Sequence, residues 1–235
     1  MTAKRSFFTR VLRFVLALTC AFLLLSVGSV LALRWIDPPT TAFMIDDRIG
    51  AWLDAEPNYR LRHDWVDWAQ IAPSMKLAVV ASEDQKFATH HGFDFDSIND
   101  ALEDRESGKR VRGASTISQQ VAKNLFLWPG KNWIRKGLEA WFTVLIEACW
   151  SKQRILEVHL NIAQFGRHLF GVGAAAGNFF RKPAAKLTAD EAALLAAVLP
   201  NPIRLKADRP SKYVRSRQQW IVSQMGQLGP LKLGS

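Results

Sequence analysis

Residues 14–33 run for 20 positions without a charge, and 16 of them are apolar. No other feature narrows the possible folds as much. At 1.5 Å per residue, a helix of this length extends roughly 30 Å, the thickness of a bilayer's hydrocarbon core. Lys4, Arg5, Arg10 and Arg13 precede it without an acid. The positive-inside rule therefore places residues 1–13 in the cytoplasm as a basic tail, and everything after Arg34 across the membrane. The competing reading is a cleaved export signal ending near Val30-Leu31-Ala32. The apolar stretch exceeds the roughly 7–15 residues of such a signal's core, which favours an uncleaved single-pass anchor.

The anchor accounts for part of the charge. The 235 residues carry 31 Lys plus Arg against 21 Asp plus Glu, a net +10, and residues 1–34 hold five of those bases and no acid. With 49% hydrophobic and 22% charged residues, the chain as a whole is a folding one and not a charged disordered tail. Its excess of bases asks for an anionic partner. Two cysteines, Cys20 inside the span and Cys149 in an apolar run, exclude a disulfide scaffold and a Cys-rich metal site. An oxidising compartment suits this pair only with Cys149 buried.

Residues 34–72 mix prolines, acids and tryptophans and read as a linker and packing segment, leaving 73–235 as the main domain. Within it the apolar spacing predicts helices over about 73–84, 95–107, 116–127, 133–150, 152–162, 173–181, 188–199 and 211–228, with Pro73 at a first-turn position and Thr188 and Glu191 forming a capping box. No alternating stretch competes with these, so the exported part reads as all-α or nearly so.

Charge is segregated along this domain. Residues 46–104 hold 13 acids and five bases, whereas 105–136 hold eight bases and one acid. The basic block is Arg105, Lys109, Arg110, Arg112, Lys123, Lys131, Arg135 and Lys136. A solvated helix face explains many such runs. Here the bases alternate with Ser115, Thr116, Ser118, Gln119, Gln120 and Asn124, whose side chains hydrogen-bond oxygen ligands. Thr116, Gln120 and Lys123 fall on one helix face. Arg135 and Lys136 precede Glu139 by one turn. A cationic wall beside a lone carboxylate suits departure of a phosphate or pyrophosphate. Glu83, closing an apolar helix, is the second carboxylate: burial would raise its pKa toward the range of a general acid or base, while a surface acid beside Lys86 is the plainer alternative. His90 and His91 lack a suitably spaced third ligand, so His90 reads as a structural hydrogen-bond partner.

Together these residues carry a resemblance. Glu83-Asp84-Gln85-Lys86-Phe87-Ala88-Thr89-His90-His91-Gly92-Phe93-Asp94 resembles the first signature of the family 51 peptidoglycan glycosyltransferases. Gly113-Ala114-Ser115-Thr116-Ile117-Ser118-Gln119-Gln120, continuing to Leu125, resembles the second, and Arg135-Lys136-x-x-Glu139 the third. Ile155-Leu156-Glu157-Val158-His159-Leu160-Asn161 resembles the fourth, and residues 174–202 the fifth. His159 stands where the family usually has Tyr, and Gln164 and Phe179 are also atypical.

The resemblance implies a lysozyme-like helical domain that polymerises lipid II, a disaccharide-peptide on an undecaprenyl pyrophosphate, with β-1,4 inversion and release of that pyrophosphate. It implies Glu83 as general base and Glu139 as support of the cation cluster. Lys123, Arg135 and Lys136 would neutralise the leaving group, with Lys131 in the same substrate site and a divalent cation (Mg or Mn) bound together with the pyrophosphate. Ser115, Thr116, Gln119 and Gln120 would line the sugar and phosphate site. Lipid II, the growing glycan chain, the membrane and other cell-wall synthesis proteins are the implied partners. The implied location is the bacterial inner membrane, with the catalytic domain in the periplasm. The segment from Leu125 to Trp133 mixes Trp with Lys around Pro129-Gly130, as interfacial loops do; two core tryptophans are the alternative.

Three rivals remain at this level. A lytic enzyme with Glu83 as acid has no need of the cationic wall. A silent scaffold has no need of both carboxylates. A nucleic-acid binder conflicts with export. The sequence contains neither Ser-x-x-Lys nor Lys-Thr-Gly, so no transpeptidase is expected in it.

Overall fold

The computed structural model describes residues 2–107, 115–130 and 132–233. Of the basic block, Lys109, Arg110, Arg112 and Lys131 lie outside the described residues, as do Gly113, Ala114 and the Arg105 side chain. The chain forms two compact units, residues 1–38 and 39–235.

The first unit is one helix, α1 (Thr2–Leu33), longer than the predicted span because it continues back through Arg13 and Arg10. Its stretch Phe7–Leu33 is the one helix among the described residues long and apolar enough to cross a membrane. Phe14, Leu16, Leu24 and Leu25 are exposed. A core helix of a soluble protein would bury such side chains, so the outward apolar surface fits a membrane anchor.

The second unit begins before residue 73. Helix α2 (Ala42–Leu53), within the predicted linker and packing segment, is started by Thr41, whose hydroxyl accepts from the Met44 amide at 3.1 Å. The remaining helices are α3 (Pro73–Glu83), α4 (Phe95–Glu106), α5 (Ile117–Phe126), α6 (Trp133–Cys149), α7 (Lys152–Ile162), α8 (Val172–Phe180), α9 (Ala189–Val198) and α10 (Lys212–Leu228). All eight predicted helices are present, and the domain is helical. Short one-turn pieces at Trp68–Gln70 and Ala184–Lys186 complete it.

A small sheet was not predicted. β1 (Arg62–His63) pairs parallel with β3 (Leu169–Phe170), which pairs antiparallel with β2 (Gln164–Gly166) across a bulge. Strands of two or three residues carry no alternation for a sequence to show. Three residues after β1, the buried Asn161 of α7 holds Val66: its side-chain oxygen accepts from the Val66 amide at 2.8 Å while its amide donates to the Val66 carbonyl at 2.9 Å. A single side chain thus satisfies both backbone groups of a residue outside the sheet.

Two helical groups make the core. α9 packs on α3 and α10, and its run from Ala192 to Val198 is buried throughout. The five small or medium side chains Ala192, Ala193, Ala196, Ala197 and Val198 let the neighbouring helices approach closely. The second group packs α5 between α6 and α7, with Ile117, Val121, Ile146, Ile155 and Leu156 fully buried. The C-terminal end of α3 meets α5 where the groups adjoin, and both carboxylates of interest lie in this region.

Candidate active site

Position in the site begins with Asp84, the residue after α3. Its buried carboxylate accepts from the Ile117 amide at 2.9 Å and pairs with His90 Nε2 at 2.9 Å. It thereby ties the end of α3 and the following turn to the N-terminus of α5, where a carboxylate also meets the positive end of the helix dipole. Gly92 has φ 88, and a Cβ there would come within 2.8 Å of Thr143 Cγ2 and 3.0 Å of Glu147 Cγ. Only glycine fits this close approach. Its carbonyl accepts from the Thr116 hydroxyl at 2.7 Å.

Thr116 and Gln119 are largely consumed by this framework. They form a capping box: Thr116 Oγ1 accepts from the Gln119 amide at 3.2 Å, and Gln119 Oε1 accepts from the Thr116 amide at 3.0 Å. Both are buried. Ser118 is likewise turned inward and donates to Glu147, which also pairs with Lys152 at 2.8 Å. Ser115 is exposed and lines the cavity described below. Gln120 reaches Glu83.

Glu83 is largely buried at its helix end, with 12% of its side chain exposed. Its Oε2 accepts from Gln120 Nε2 at 3.0 Å. Its Oε1 has no hydrogen-bond partner among the described residues and lies 3.6 Å from a guanidinium nitrogen of Arg217. Burial holds its carboxyl above the ordinary glutamate range, against the opposing pull of Gln120, Arg217 and Lys123. Lys86 pairs instead with Asp96 at 2.7 Å and Asp94 at 3.6 Å, so Glu83 is not the surface acid of the plainer alternative. Glu83, Lys86, Ser115, Trp220 and Gln224 line one cavity of about 490 Å³.

Glu139 is buried differently. Asn132 starts α6 by accepting from the Arg135 amide at 2.7 Å, and this fixes the rotation of the helix. Arg135 then donates to Glu139 Oε2 at 3.1 Å, and Lys136 donates to Glu139 Oε1. Lys123 lies within electrostatic reach of Glu139, Arg135, Glu83 and Lys136, and its ammonium sits 5.5 Å over the Phe43 ring of α2. Burial lowers its pKa, with Glu139 as the strongest opposing influence. Two adjacent oxygens and three cations therefore gather on α5 and α6 as the sequence spacing predicts.

Two contributors were not read from the sequence. Arg217 comes from α10, 134 positions after Glu83, and no local pattern marks it. Phe43 belongs to the unpredicted α2. His159 of α7 is fully buried with neither ring nitrogen partnered among the described residues, and burial, reinforced by Lys123, holds its pKa down to about 4. Trp133 is 91% exposed and Trp128 about half exposed, which rules out the reading of both as core residues. Cys149 is half-buried and free, short of the full burial expected of it.

The donors do not fit a protein-held divalent cation. Both oxygens of Glu139 are taken by its two cations, and no group of three His, Cys, Asp or Glu side chains able to hold a metal occurs among the described residues.

Comparison with known proteins adds an independent line. A family model described as "Transglycosylase" matches residues 50–226. The chain is 52% identical over 225 residues to a Pseudomonas aeruginosa protein named biosynthetic peptidoglycan transglycosylase, covering 96% of this chain and 95% of that one. It is 56% identical to a protein of the same name from Klebsiella oxytoca, covering 92% and 90%. A third of that name, from Xanthomonas campestris pv. campestris, is 54% identical over 94% of this chain and 89% of its own.

Proposed function

The chain belongs to the transglycosylase family, and we propose that it is a membrane-anchored peptidoglycan glycosyltransferase that lengthens glycan strands from lipid II. The observation that carries the reading is the pairing of Glu83, with one oxygen free of hydrogen bonds, and the cation cluster built around Glu139.

The reaction requires a proton acceptor on one side and charge neutralisation on the other. Glu83, ionised, takes the proton of the incoming sugar's 4-hydroxyl. The resulting oxygen nucleophile attacks the anomeric carbon of the donor, and the bond to pyrophosphate breaks with its electron pair on the departing phosphate oxygen. Lys123, Arg135 and Lys136 stabilise that charge as it develops. Glu139 holds Arg135 and Lys136 in place. Direct displacement turns an α-linked donor into a β-linked product. No step is assigned to a divalent cation.

The anchor supports the same reading. A substrate confined to a membrane meets a tethered enzyme at raised effective concentration. Exposed Trp128 and Trp133 give the loop before α6 the composition of an interfacial segment. Lys4, Arg5, Arg10 and Arg13 at the start of α1 favour a cytoplasmic N-terminus, and with it a periplasmic 39–235 unit.

The test is full-length protein in detergent or vesicles supplied with lipid II. Glycan strands and undecaprenyl pyrophosphate are the expected products, and Glu83→Gln is expected to yield neither. Undiminished polymerisation by that variant overturns the base assignment. Shortening of preformed strands without lipid II consumption supports the lytic reading instead.

A further inference from the structure

Arg217 stands outside the signatures and outside every role assigned above, yet it is the only cation among the described residues in ion-pair contact with Glu83. We infer that Arg217 is a positioning residue of the polymerisation reaction: it keeps the Glu83 carboxylate ionised and held at the edge of the cavity that Glu83 lines. This rests on the reading of Glu83 as the base.

The geometry carries the argument. Arg217 Nη2 lies 3.6 Å from Glu83 Oε1, inside ion-pair range but beyond an ordinary hydrogen bond. The same nitrogen donates to the Ser82 carbonyl at 3.4 Å, a second hold on the last turn of α3. The guanidinium also sits 5.8 Å over the Trp220 ring, so the aromatic plate one turn further along α10 limits its movement.

Nor is α10 free to drift. Val214, Ile221 and Met225 bury one face of it, Gln218 donates to the Asp190 carbonyl at 2.7 Å, and Gln85 donates to Gln224 at 2.9 Å. Arg217 thus projects from a rigid element onto the end of another, as accurate positioning requires.

The charges facing Glu83 can be named from each side. α5 brings Lys123 and the neutral Gln120, and α10 brings Arg217. Asp84 follows on the same strand of chain and opposes ionisation. Lys86 and Asp94 line the shared cavity but neutralise one another. α9 packs on α3 through Ala, Leu and Val and contributes no charge there. Lys123 also serves Glu139, which leaves Arg217 as the cation acting on Glu83 alone.

The experiment is the pH dependence of lipid II polymerisation by full-length protein in vesicles, with kcat and KM separated. Arg217→Gln is expected to move the acid limb of kcat upward by about one pH unit, the size of shift an adjacent cation produces, while KM changes less than about threefold. Arg217→Lys, with the charge kept and its reach shortened, is expected to show about half that shift; it also serves as the test if Arg217→Gln does not fold. A profile superimposed on that of the wild type, with Glu83→Gln inactive, overturns the role of Arg217 alone. A loss confined to KM overturns it as well, since Arg217 would then be binding substrate. Wild-type activity in Glu83→Gln overturns the underlying base assignment and this inference with it.

Discussion

Glu83 and Glu139 are both buried, both on helices and both close to Lys123, but their oxygens are used in opposite ways. Glu139 gives each oxygen to a cation of its own helix. With both oxygens engaged, it serves to hold those two cations in place. Glu83 gives one oxygen to a neutral amide and keeps the other free of hydrogen bonds, with the nearest cation at 3.6 Å. It remains free to exchange a proton. The two acids therefore differ chiefly in saturation, and saturation leaves Glu83 the one suited to proton chemistry.

That contrast predicts opposite responses to the same substitution. Glu83→Gln should reduce the initial rate of lipid II consumption by about 10³-fold or more, within the range that a positioned general base supplies. Its thermal unfolding should be unchanged or higher, because an incompletely paired buried carboxylate is replaced by a neutral group of the same shape. Glu139→Gln should be the reverse in stability. It leaves Arg135, itself only 8% exposed, without its counter-charge, a loss of about 3–5 kcal/mol measurable by denaturant unfolding. Equal destabilisation by the two variants would end the distinction. Lys136→Met sharpens it further: this side chain is half exposed, so stability should shift by no more than about 1 kcal/mol. The KM for lipid II should rise about tenfold from the loss of one charge-assisted contact, as read from initial rates.

Much of this was legible because it is local. Arg135, Lys136 and Glu139 lie within one turn, so helical spacing alone brings them together. The apolar runs that bury the helices repeat at the helical period, and the anchor is a matter of length. What escaped is what depends on distant pairing. Arg217 reaches Glu83 only because α9 and α10 fold back on α3, and the short strands form only because residues 62–63 return to pair with 169–170. Thr116 and Gln119 looked like ligand residues because hydroxyl and amide groups serve capping and substrate equally well; the Gly92 carbonyl and the helix terminus engage them here.

His159 offers the smallest effect at neutral pH and the finest probe of the space between the two acids. Its imidazole is buried beside Lys123 with no hydrogen-bond partner among the described residues, and its pKa is held down to about 4 from an ordinary 6.5. Below pH 6.5 the unfolded chain binds a proton that the folded one refuses, so the contribution of this residue to stability is present above that pH and lost as pH falls toward 4. Across the window the loss is on the order of 3 kcal/mol. His159→Phe removes the titration while keeping an aromatic ring of similar size. The variant should differ from wild type by no more than about 1 kcal/mol at pH 7 and gain on it steadily down to pH 4, as read from paired denaturant unfolding curves in detergent. A difference that stays flat with pH would mean that His159 is solvated or paired in the folded state. A rising difference means that Lys123 is bordered by a neutral ring, so that no second buried charge competes with it for Glu139 and Glu83.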